Sequence, residues 1–366
     1  MSELNPDQAD NTSKATSNED LIQENAQTQQ PVVSSPAAPV PLHLSLLKGV
    51  GYLLWCTFIV ILGAFYGVSA YAFFVQFLSA ESGVMLTSFL VGVPVAMGMI
   101  VGYVAEKRKM SGVAFASSLS MISLSLFAFA VGALFREGSI CLVMAMGLFI
   151  PLMLLGALIS VIASSLDPSR SGKLSLVALL LPFAFGGVEQ GMESPTSRQQ
   201  IERSVYIDAS PEKIWQLINF PLDIRPAELE QGIAYKIGVP YPIEARTLEP
   251  RVGGKRQLLW QRGVRFEEEI TEWQENRRIA WKYLFTPDSF PSGSLDDHVV
   301  IGGQYFDIES TSYTLTPEGK GTRLTVQVGT RVSTHFNWYA EFCARYLVSD
   351  TAEAILHFYQ QRAQAI

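Results

Sequence analysis

Charge is scarce in this 366-residue chain. Asp, Glu, Lys and Arg together make up 17% of the residues, whereas hydrophobic residues make up 48%. A soluble globular protein carries about 25% charged residues. The formal net charge is -7, and residues 1–41 hold six acidic residues against Lys14, so the rest of the chain is nearly neutral. This near-neutral balance argues against nucleic-acid binding, and we predict no nucleic-acid partner.

Cysteine and histidine are also scarce. Cys56 and Cys141 fall in apolar runs, and Cys343 stands alone near the C-terminus. This spacing fits neither a disulfide framework nor a zinc motif. The four histidines are scattered along the chain. We therefore predict three unpaired thiols, no metal site and no cofactor.

The first 43 residues have almost no bulky side chains to bury. They are rich in Ser, Asn, Gln, Ala and Pro, which is the composition of a disordered segment. They also lack the positive start and early apolar run of a secretory signal. We predict a disordered tail, which serves either as a plain tether or as a partner-binding segment.

Five apolar runs between residues 44 and 188 predict a transmembrane region of about five helices. The runs are Val50–Phe77, Val84–Ala105, Val113–Phe135, Ile140–Leu166 and Leu174–Val188. The first four reach the length of about 20 residues that spans a bilayer. The fifth is short and contains Pro182, so it is a span, a re-entrant piece or an interfacial segment. No run carries an ionisable residue at mid-depth, which favours a packed anchor over a pump.

Basic loops set the expected orientation. The connection Glu106–Lys109 and the pair Arg170 and Lys173 hold most of the positive charge between the runs. Positive loops stay on the cytoplasmic side. This places the N-terminus, the 106–112 loop and the 167–173 loop inside a bacterial inner membrane. If the fifth run spans, the C-terminal domain is periplasmic, and otherwise it is cytoplasmic; we favour the periplasmic side.

A strand, a turn and a helix open the C-terminal domain at Ile201–Ile218, after a polar linker over residues 189–200. Val205 and Ile207 alternate with polar residues, as in a half-buried strand. Ser210 is placed to serve as the N-cap and Pro211 as the first helical residue. The helix that follows presents one apolar stripe.

The remaining sequence, to residue 366, predicts a single α+β domain. After the first helix comes a proline-punctuated stretch suited to short helical turns. Six alternating segments then predict strands, and a long helix follows over Asn337–Ala363. The strands are Ile243–Leu248, Arg256–Gln261, Val264–Trp273, Arg277–Phe285, Gln304–Leu315 and Thr322–Thr334.

Several motifs of this domain resemble the polyketide cyclase/START-like (SRPBCC, helix-grip) superfamily. The opening contains IDASPEKIW, and Gly263–Trp281 matches GVxFxExITEWxxxRRIAW. Gly302–Ile308 and Thr334–Ala340 are similar to membrane-linked bacterial members. The resemblance implies a bent antiparallel sheet that wraps the last helix and leaves a cavity between them. It also implies binding of a hydrophobic or amphipathic molecule, whereas no catalytic set is shared across the superfamily.

Three polar residues are candidates for catalysis: His298, Asp307 and Glu268. His298 follows Asp296, and an acid–imidazole pair can do acid–base work near neutral pH; the alternative is a solvated loop. Asp307 shares a strand face with Tyr305, and that face points either into the cavity or outward. Glu268 belongs to an acidic run that alternates between faces, so one of its members is placed to reach the cavity.

The candidates for ligand binding are mainly aromatic. They are Trp260, Phe266, Trp281, Tyr283, Tyr305, His335, Trp338 and Phe342. The strand aromatics either pack in the core or line a cavity. His335 lies where the last strand meets the long helix, and it either borders the cavity or caps the helix. Arg225 and Glu228 either border the pocket mouth or pair with each other.

Three functions fit these observations. The first is a membrane-anchored START-like domain that binds a lipid or another hydrophobic small molecule. The second is a cyclase- or dehydratase-like enzyme that works in an apolar pocket. The third is a membrane-associated sensor or assembly protein, with a membrane-protein partner and no open cavity.

Overall fold

The computed structural model describes residues 42–78, 83–107, 112–296, 298 and 300–365. The predicted disordered tail lies outside the described residues except for its last two positions. Arg108 and Lys109 of the predicted basic loop lie outside them as well. Contacts divide the chain into a unit that ends at Gly51 and a second unit, Tyr52–Ile366. All contacts described below lie within the second unit.

Five long helices precede the sheet in the described part of the chain. They are α1 (Leu42–Phe77), α2 (Val93–Lys107), α3 (Val113–Leu134), α4 (Ser139–Leu166) and α5 (Pro168–Glu189). A 3₁₀ turn at Gly83–Met85 and a π-helical stretch at Ser88–Gly92 lead into α2. By length and composition, five helical segments among the described residues are able to cross a membrane.

Helix α5 is longer than the apolar run that predicted it. Its N-cap is Asp167, whose carboxylate accepts hydrogen bonds from the backbone N–H groups of Ser169 and Arg170, and Pro168 occupies the first turn. These capping residues start the helix before the hydrophobic stretch begins. Pro182 lies inside the helix without ending it. The membrane-length segment is therefore Ser169–Glu189, 21 residues, rather than Leu174–Val188.

Helices α2 and α4 pack with their backbones in close approach. A Cβ atom on Gly98 would clash with the carbonyl group of Met153, and one on Gly156 would clash with the carbonyl oxygen of Val95. One turn further along, a Cβ atom on Gly102 would lie 3.0 Å from the carbonyl oxygen of Ala157 in α4. Small residues at a helix crossing permit this close packing, because they place no side chain between the two backbones.

The C-terminal part is an α+β domain with a seven-stranded antiparallel sheet. Its strands are β1 (Thr196–Ile207), β2 (Pro242–Thr247), β3 (Lys255–Trp260), β4 (Arg265–Gln274), β5 (Arg278–Leu284), β6 (Phe306–Glu318) and β7 (Gly321–Ser333). Helices α6 (Pro211–Asn219) and α7 (Ile233–Lys236) lie between β1 and β2, and α8 (Asn337–Gln364) follows β7. The strand order β1-β7-β6-β5-β4-β3-β2 fits a helix-grip domain.

The order of elements predicted for this domain is confirmed, and most strand limits agree within about two residues. Strand β1 differs, because it begins at Thr196, within the predicted linker of residues 189–200. It pairs along its whole length with β7, from Thr196 opposite Ser333 to Ile207 opposite Thr322. The first half of β1 is mostly polar and gives no alternating signal, so its strand structure comes from this pairing.

One face of the sheet packs against α6 and α8 and forms the domain core. Ile207, Leu324 and Phe358 are among its most buried members. Helix α6 begins at Pro211 with Ser210 at the N-cap position, as predicted. Burial of these apolar side chains supplies the main favourable term for folding.

The helix bundle and the sheet domain contact each other directly. The Tyr339 hydroxyl of α8 donates a hydrogen bond to the carbonyl oxygen of Met144 in α4, at 2.6 Å. The Ser139 hydroxyl, at the first residue of α4, donates to the carbonyl oxygen of Ile237. Phe336, just before α8, packs with residues that precede α2. The start of α4 therefore lies at the domain.

Candidate functional site

A cavity of about 250 Å³ lies between the sheet and α8. Strands β3 to β7 contribute most of one wall, and α8 contributes the opposite wall with small and aliphatic side chains such as Ala344 and Leu347. Met85, Ile140 and Met144 of the bundle complete the lining. The cavity is therefore mostly apolar, and the membrane-length helix α4 forms part of its wall.

A buried ion pair supplies the strongest polar feature of the lining. Arg256 on β3 and Glu268 on β4 are register partners, and the guanidinium Nη1 donates to the Glu268 carboxylate at 2.7 Å. Each side chain is only 2% exposed. Arg256 also donates to the Ile218 carbonyl oxygen at 2.9 Å and to the Thr247 hydroxyl at 3.2 Å. Its guanidinium stacks over the Trp281 ring, 4.0 Å from the centroid.

The electrostatics of this pair leave Glu268 able to titrate near neutral pH. Burial raises the pKa of the Glu268 carboxyl to about 7, against the opposing effect of the Arg256 guanidinium. Nearby, the hydroxyls of Tyr283 and Thr311 are hydrogen-bonded at 2.7 Å. Burial raises the pKa of Tyr283 well above its usual range, so this phenol stays neutral. The polar end of the cavity thus holds one cation, one titratable carboxyl and neutral hydroxyls.

The cavity brings together six of the residues proposed from the sequence. They are Trp260, Glu268, Trp281, Tyr283, Tyr305 and His298. Their role in ligand binding or catalysis stays a prediction. Phe266 is buried but does not line the cavity, because it packs against the rings of Trp260 and Phe290 in an aromatic cluster.

Trp338 and Phe342 lie outside the cavity. They are 63% and 65% exposed, whereas Ala340 and Ala344 on the same helix line it. The reason is helical geometry, because residues two positions apart point to different sides of a helix. With Tyr346, which is 48% exposed, they form an outward aromatic stripe on α8, here called the α8 stripe (Trp338, Phe342 and Tyr346).

His335 is half-buried and does not line the cavity, although Thr334 and Phe336 on either side do. The local hydrogen bonds at this corner are made by Asn337. Its side-chain oxygen accepts from the Thr334 backbone N–H at 2.8 Å, and its amide nitrogen donates to the Pro195 carbonyl oxygen at 2.7 Å. Asn337 is the first residue of α8 and Phe336 is the N-cap.

Asp307 also lies outside the cavity lining. The expected shared face with Tyr305 does not form, because β6 begins at Phe306 and Tyr305 belongs to the preceding loop. Asp307 pairs in register with Arg331 of β7. Burial raises the pKa of its carboxyl, and the Arg331 guanidinium opposes this rise.

The imidazole of His298 contacts an acid from a distant segment rather than from its own loop. Its Nε2 lies 3.2 Å from Oε1 of Glu137, in the connection between α3 and α4. Asp296 instead accepts a hydrogen bond from the His298 backbone N–H, at 3.2 Å. No sequence pattern indicated this contact, because 161 positions separate Glu137 from His298.

Arg225 and Glu228 do contact each other, but Glu228 has a second partner. The Arg225 backbone N–H donates to the Glu228 carboxylate at 2.8 Å. Arg362, near the end of α8, binds the same carboxylate at 2.8 and 3.0 Å. The Arg362 hydrogen bond lowers the pKa of Glu228, so this carboxylate holds the end of α8 against the loop before α7.

Two sets of lining residues were missed from the sequence. Arg256 lies on the inward face of β3, opposite Glu268. A charged residue on an otherwise apolar strand face is a sequence signal that indicates a buried ion pair. No sequence signal marks Met85, Ile140 and Met144, because an apolar run does not show which of its residues contacts another domain.

Comparison with protein-family models gives no match to this chain, and comparison with curated proteins gives none either. Among solved structures, the chain is similar to a Thermus thermophilus protein, with 18% identity and a TM-score of 0.30 over 46% of this chain and 98% of that one. A Thalictrum norcoclaurine synthase point mutant, in complex with a transition-state analogue, has 12% identity and a TM-score of 0.30 over 47% and 97%. A Staphylococcus aureus protein of unknown function has 10% identity and a TM-score of 0.30 over 46% and 98%.

Proposed function

We propose that this protein is a membrane-anchored helix-grip protein that takes a hydrophobic or amphipathic small molecule from the bilayer into the cavity between its sheet and α8. One observation carries the proposal. Met85, Ile140 and Met144, which belong to or adjoin the membrane-length helices, line the same cavity as the sheet and α8. An apolar molecule dissolved in a bilayer would reach this cavity along apolar surface.

The lining defines the chemistry of the ligand. Most of the wall is apolar, and polar groups gather at Arg256, Glu268, Tyr283 and Thr311. A molecule with an apolar body and one hydrogen-bonding end matches this arrangement. The volume of about 250 Å³ lies just under the range of about 300–1,000 Å³ for small-molecule sites. We infer a single short chain or a small ring system rather than a two-chain phospholipid.

Exposed apolar surface supports the membrane part of the proposal. The outward side chains of the long helices include many large hydrophobic residues, among them Leu54, Phe65, Phe129, Leu166 and Phe185. The α8 stripe adds exposed aromatic residues on a helix that contacts α4 through Tyr339, and Trp and Tyr are enriched where a bilayer meets water. A bacterial inner membrane is the proposed location.

The positions of α4 and α5 support a periplasmic domain. Ser139 at the start of α4 contacts the domain, and six residues separate the end of α5 from β1. If the N-terminus is cytoplasmic, as the basic loops predict, and all five segments cross the membrane, the domain lies on the periplasmic side. We expect alkaline phosphatase fused after Gln190 to be active, and a green fluorescent protein fused after Lys107 to be bright. An inactive phosphatase together with bright fluorescence after Gln190 would contradict the five-span topology.

Substitution in the cavity provides the test of ligand binding. We expect Val328→Phe to lower the amount of co-purifying apolar ligand at least tenfold, because Val328 lines the cavity and the added ring occupies its volume. The measurement is mass spectrometry of organic extracts from the full chain, purified in detergent. The matched control is Val252→Phe, since Val252 is 59% exposed in a turn and its ligand content should equal that of the wild type.

The fold of both variants is checked by their thermal unfolding midpoint. A ligand content that is equal in the wild type and in a folded Val328→Phe variant would overturn the proposal. The presence of a cavity favours the ligand-binding function over a sensor or assembly function, which would need no open cavity.

A second candidate function is catalysis, and one observation favours it. Glu268 lines the cavity with a pKa of about 7, which suits a general acid or base at neutral pH. The same extraction separates the two functions. A binding protein returns an added ligand unchanged, whereas an enzyme returns a molecule of different mass or structure from the wild type and the unchanged molecule from Glu268→Gln.

A further inference from the structure

We infer that Glu137, Asp296 and His298 form a binding site for a divalent transition-metal ion of the zinc type, which links the helix bundle to the wall of the cavity. The three residues come from two segments far apart in the sequence: the connection between α3 and α4, and the long loop between β5 and β6. Each offers one ligand atom, and these atoms all lie within 4.8 Å of one another.

The spacing suits a small cation. Zinc binds imidazole nitrogen and carboxylate oxygen at about 2.0–2.2 Å, so two ligand atoms in a tetrahedral site lie about 3.3–3.6 Å apart. His298 Nε2 and Glu137 Oε1 are 3.2 Å apart. A shift of a few tenths of an ångström would therefore admit the ion between them. Three protein ligands leave a further position for water or another donor.

An unsatisfied oxygen points to the same site. Oδ1 of Asp296 accepts the His298 backbone N–H, but Oδ2 is fully buried and has no hydrogen-bond partner among the described residues. It lies against Gly138, where a Cβ atom would clash with the carboxylate. Leaving such an oxygen buried and unpaired is costly, and a cation beside it would remove that cost.

Two neighbours already orient the Glu137 carboxylate: the Tyr71 hydroxyl donates a hydrogen bond to it, and His298 Nε2 lies 3.2 Å from its Oε1. The side chains of Glu137 and His298 are each 11% exposed, so this is not a solvated surface cluster. An imidazole donor beside two carboxylates favours zinc-type ions over magnesium or calcium, which prefer oxygen ligands alone.

The site lies at the border of the proposed ligand cavity. His298 lines that cavity, and so do Leu295, Ile301 and Tyr305 from the same loop. A bound ion would fasten this loop to the bundle and fix one wall. The effect on the ligand rests on the proposed function, whereas the metal site itself does not.

The test uses the full chain, purified in detergent with a tag that contains no histidine and then treated with a chelator. Zinc chloride is added, excess metal is removed by desalting, and bound zinc is measured by elemental analysis and by calorimetric titration. We expect one zinc ion per chain and a higher thermal unfolding midpoint with zinc, because the ion binds the folded state. Magnesium chloride at the same concentration should cause no shift.

Two variants and two matched controls complete the design. Asp296→Asn keeps the side-chain shape, and His298→Ala removes the imidazole; each should weaken zinc binding at least tenfold. Asp208→Asn and His357→Ala change exposed residues outside the cluster and should bind zinc as the wild type does. Absence of bound zinc in the wild type, or equal binding in the folded Asp296→Asn variant, would overturn the inference. Neither outcome depends on whether the cavity holds a ligand.

Discussion

Replacing Arg256 with methionine is expected to lower the free energy of unfolding of the sheet domain by about 3–5 kcal/mol at pH 8. Methionine has a similar length but leaves Glu268 buried without its cation, at 2% exposure. The Thr247 hydroxyl and the Ile218 carbonyl oxygen lose a hydrogen-bond donor as well. The measurement is urea unfolding of the full chain in detergent, followed by tryptophan fluorescence.

The cost of this substitution should grow with pH. In the wild type, the Glu268 pKa is raised in the folded state from 4.5 to about 7. When the pKa of a group is higher in the folded state than in the unfolded state, the group stabilises the folded state fully below its unfolded-state pKa. That stabilisation is lost as the pH rises through its folded-state pKa. That loss amounts to about 3 kcal/mol between pH 4.5 and pH 7. Without Arg256 the pKa of Glu268 rises further, so the loss continues to higher pH.

A double variant distinguishes the effect of leaving Glu268 without its cation from the effect of removing the Arg256 side chain itself. Arg256→Met with Glu268→Leu replaces both charges by apolar groups, and buried pairs replaced in this way often keep their stability. We expect it to recover most of the loss at pH 8 and to flatten the pH dependence between pH 4.5 and 7. A single variant as stable as the wild type at pH 8 would show that the pair contributes nothing to stability.

Replacing Gly98 or Gly156 with leucine is expected to prevent folding of the helix bundle. At both positions a Cβ atom would clash with a carbonyl group of the facing helix, so α2 and α4 have to separate. Overpacking a well-packed core costs about 1–3 kcal/mol or more, and backbone atoms cannot move aside as a side chain can. The expected result is loss of the monodisperse peak in detergent size-exclusion chromatography.

Gly187→Leu is the matched control. Gly187 lies in α5, and a Cβ atom there would meet no atom within 4 Å. This variant should elute and unfold like the wild type, because the new side chain has room. If Gly156→Leu behaved like Gly187→Leu, the close contact between α2 and α4 would be wrong.

Local sequence patterns predicted the elements well, because each pattern reports on a physical property of its own segment. Apolar runs located the long helices, and two-residue alternation located β2 to β7. The Ser210–Pro211 signal located the start of α6. Alternation predicts that one member of the acidic run Glu267–Glu269 reaches the cavity, and Glu268 lies in its lining.

Contacts between distant segments were beyond these patterns. The pairing of Glu137 with His298 joins two loops that lie 161 positions apart, and no pattern within either loop indicates it. Aromatic character suggests Trp338 and Phe342 for the cavity, yet the small residues Ala340 and Ala344 line it instead. Residue type alone does not show which face of a helix packs against the rest of the protein when both faces carry apolar residues.

The contribution of Ile140 and Met144 to the cavity wall has a consequence for how the protein is handled. A fragment that begins at Gln190 would keep all seven strands and α8 but lose these two residues and Met85. Phe336 and Ala340, which are buried in the full chain, would lose their neighbours from the bundle. In such a fragment the cavity would be open to solvent on one side, with apolar residues exposed around the opening. Ligand affinities measured on it would therefore not describe the intact protein.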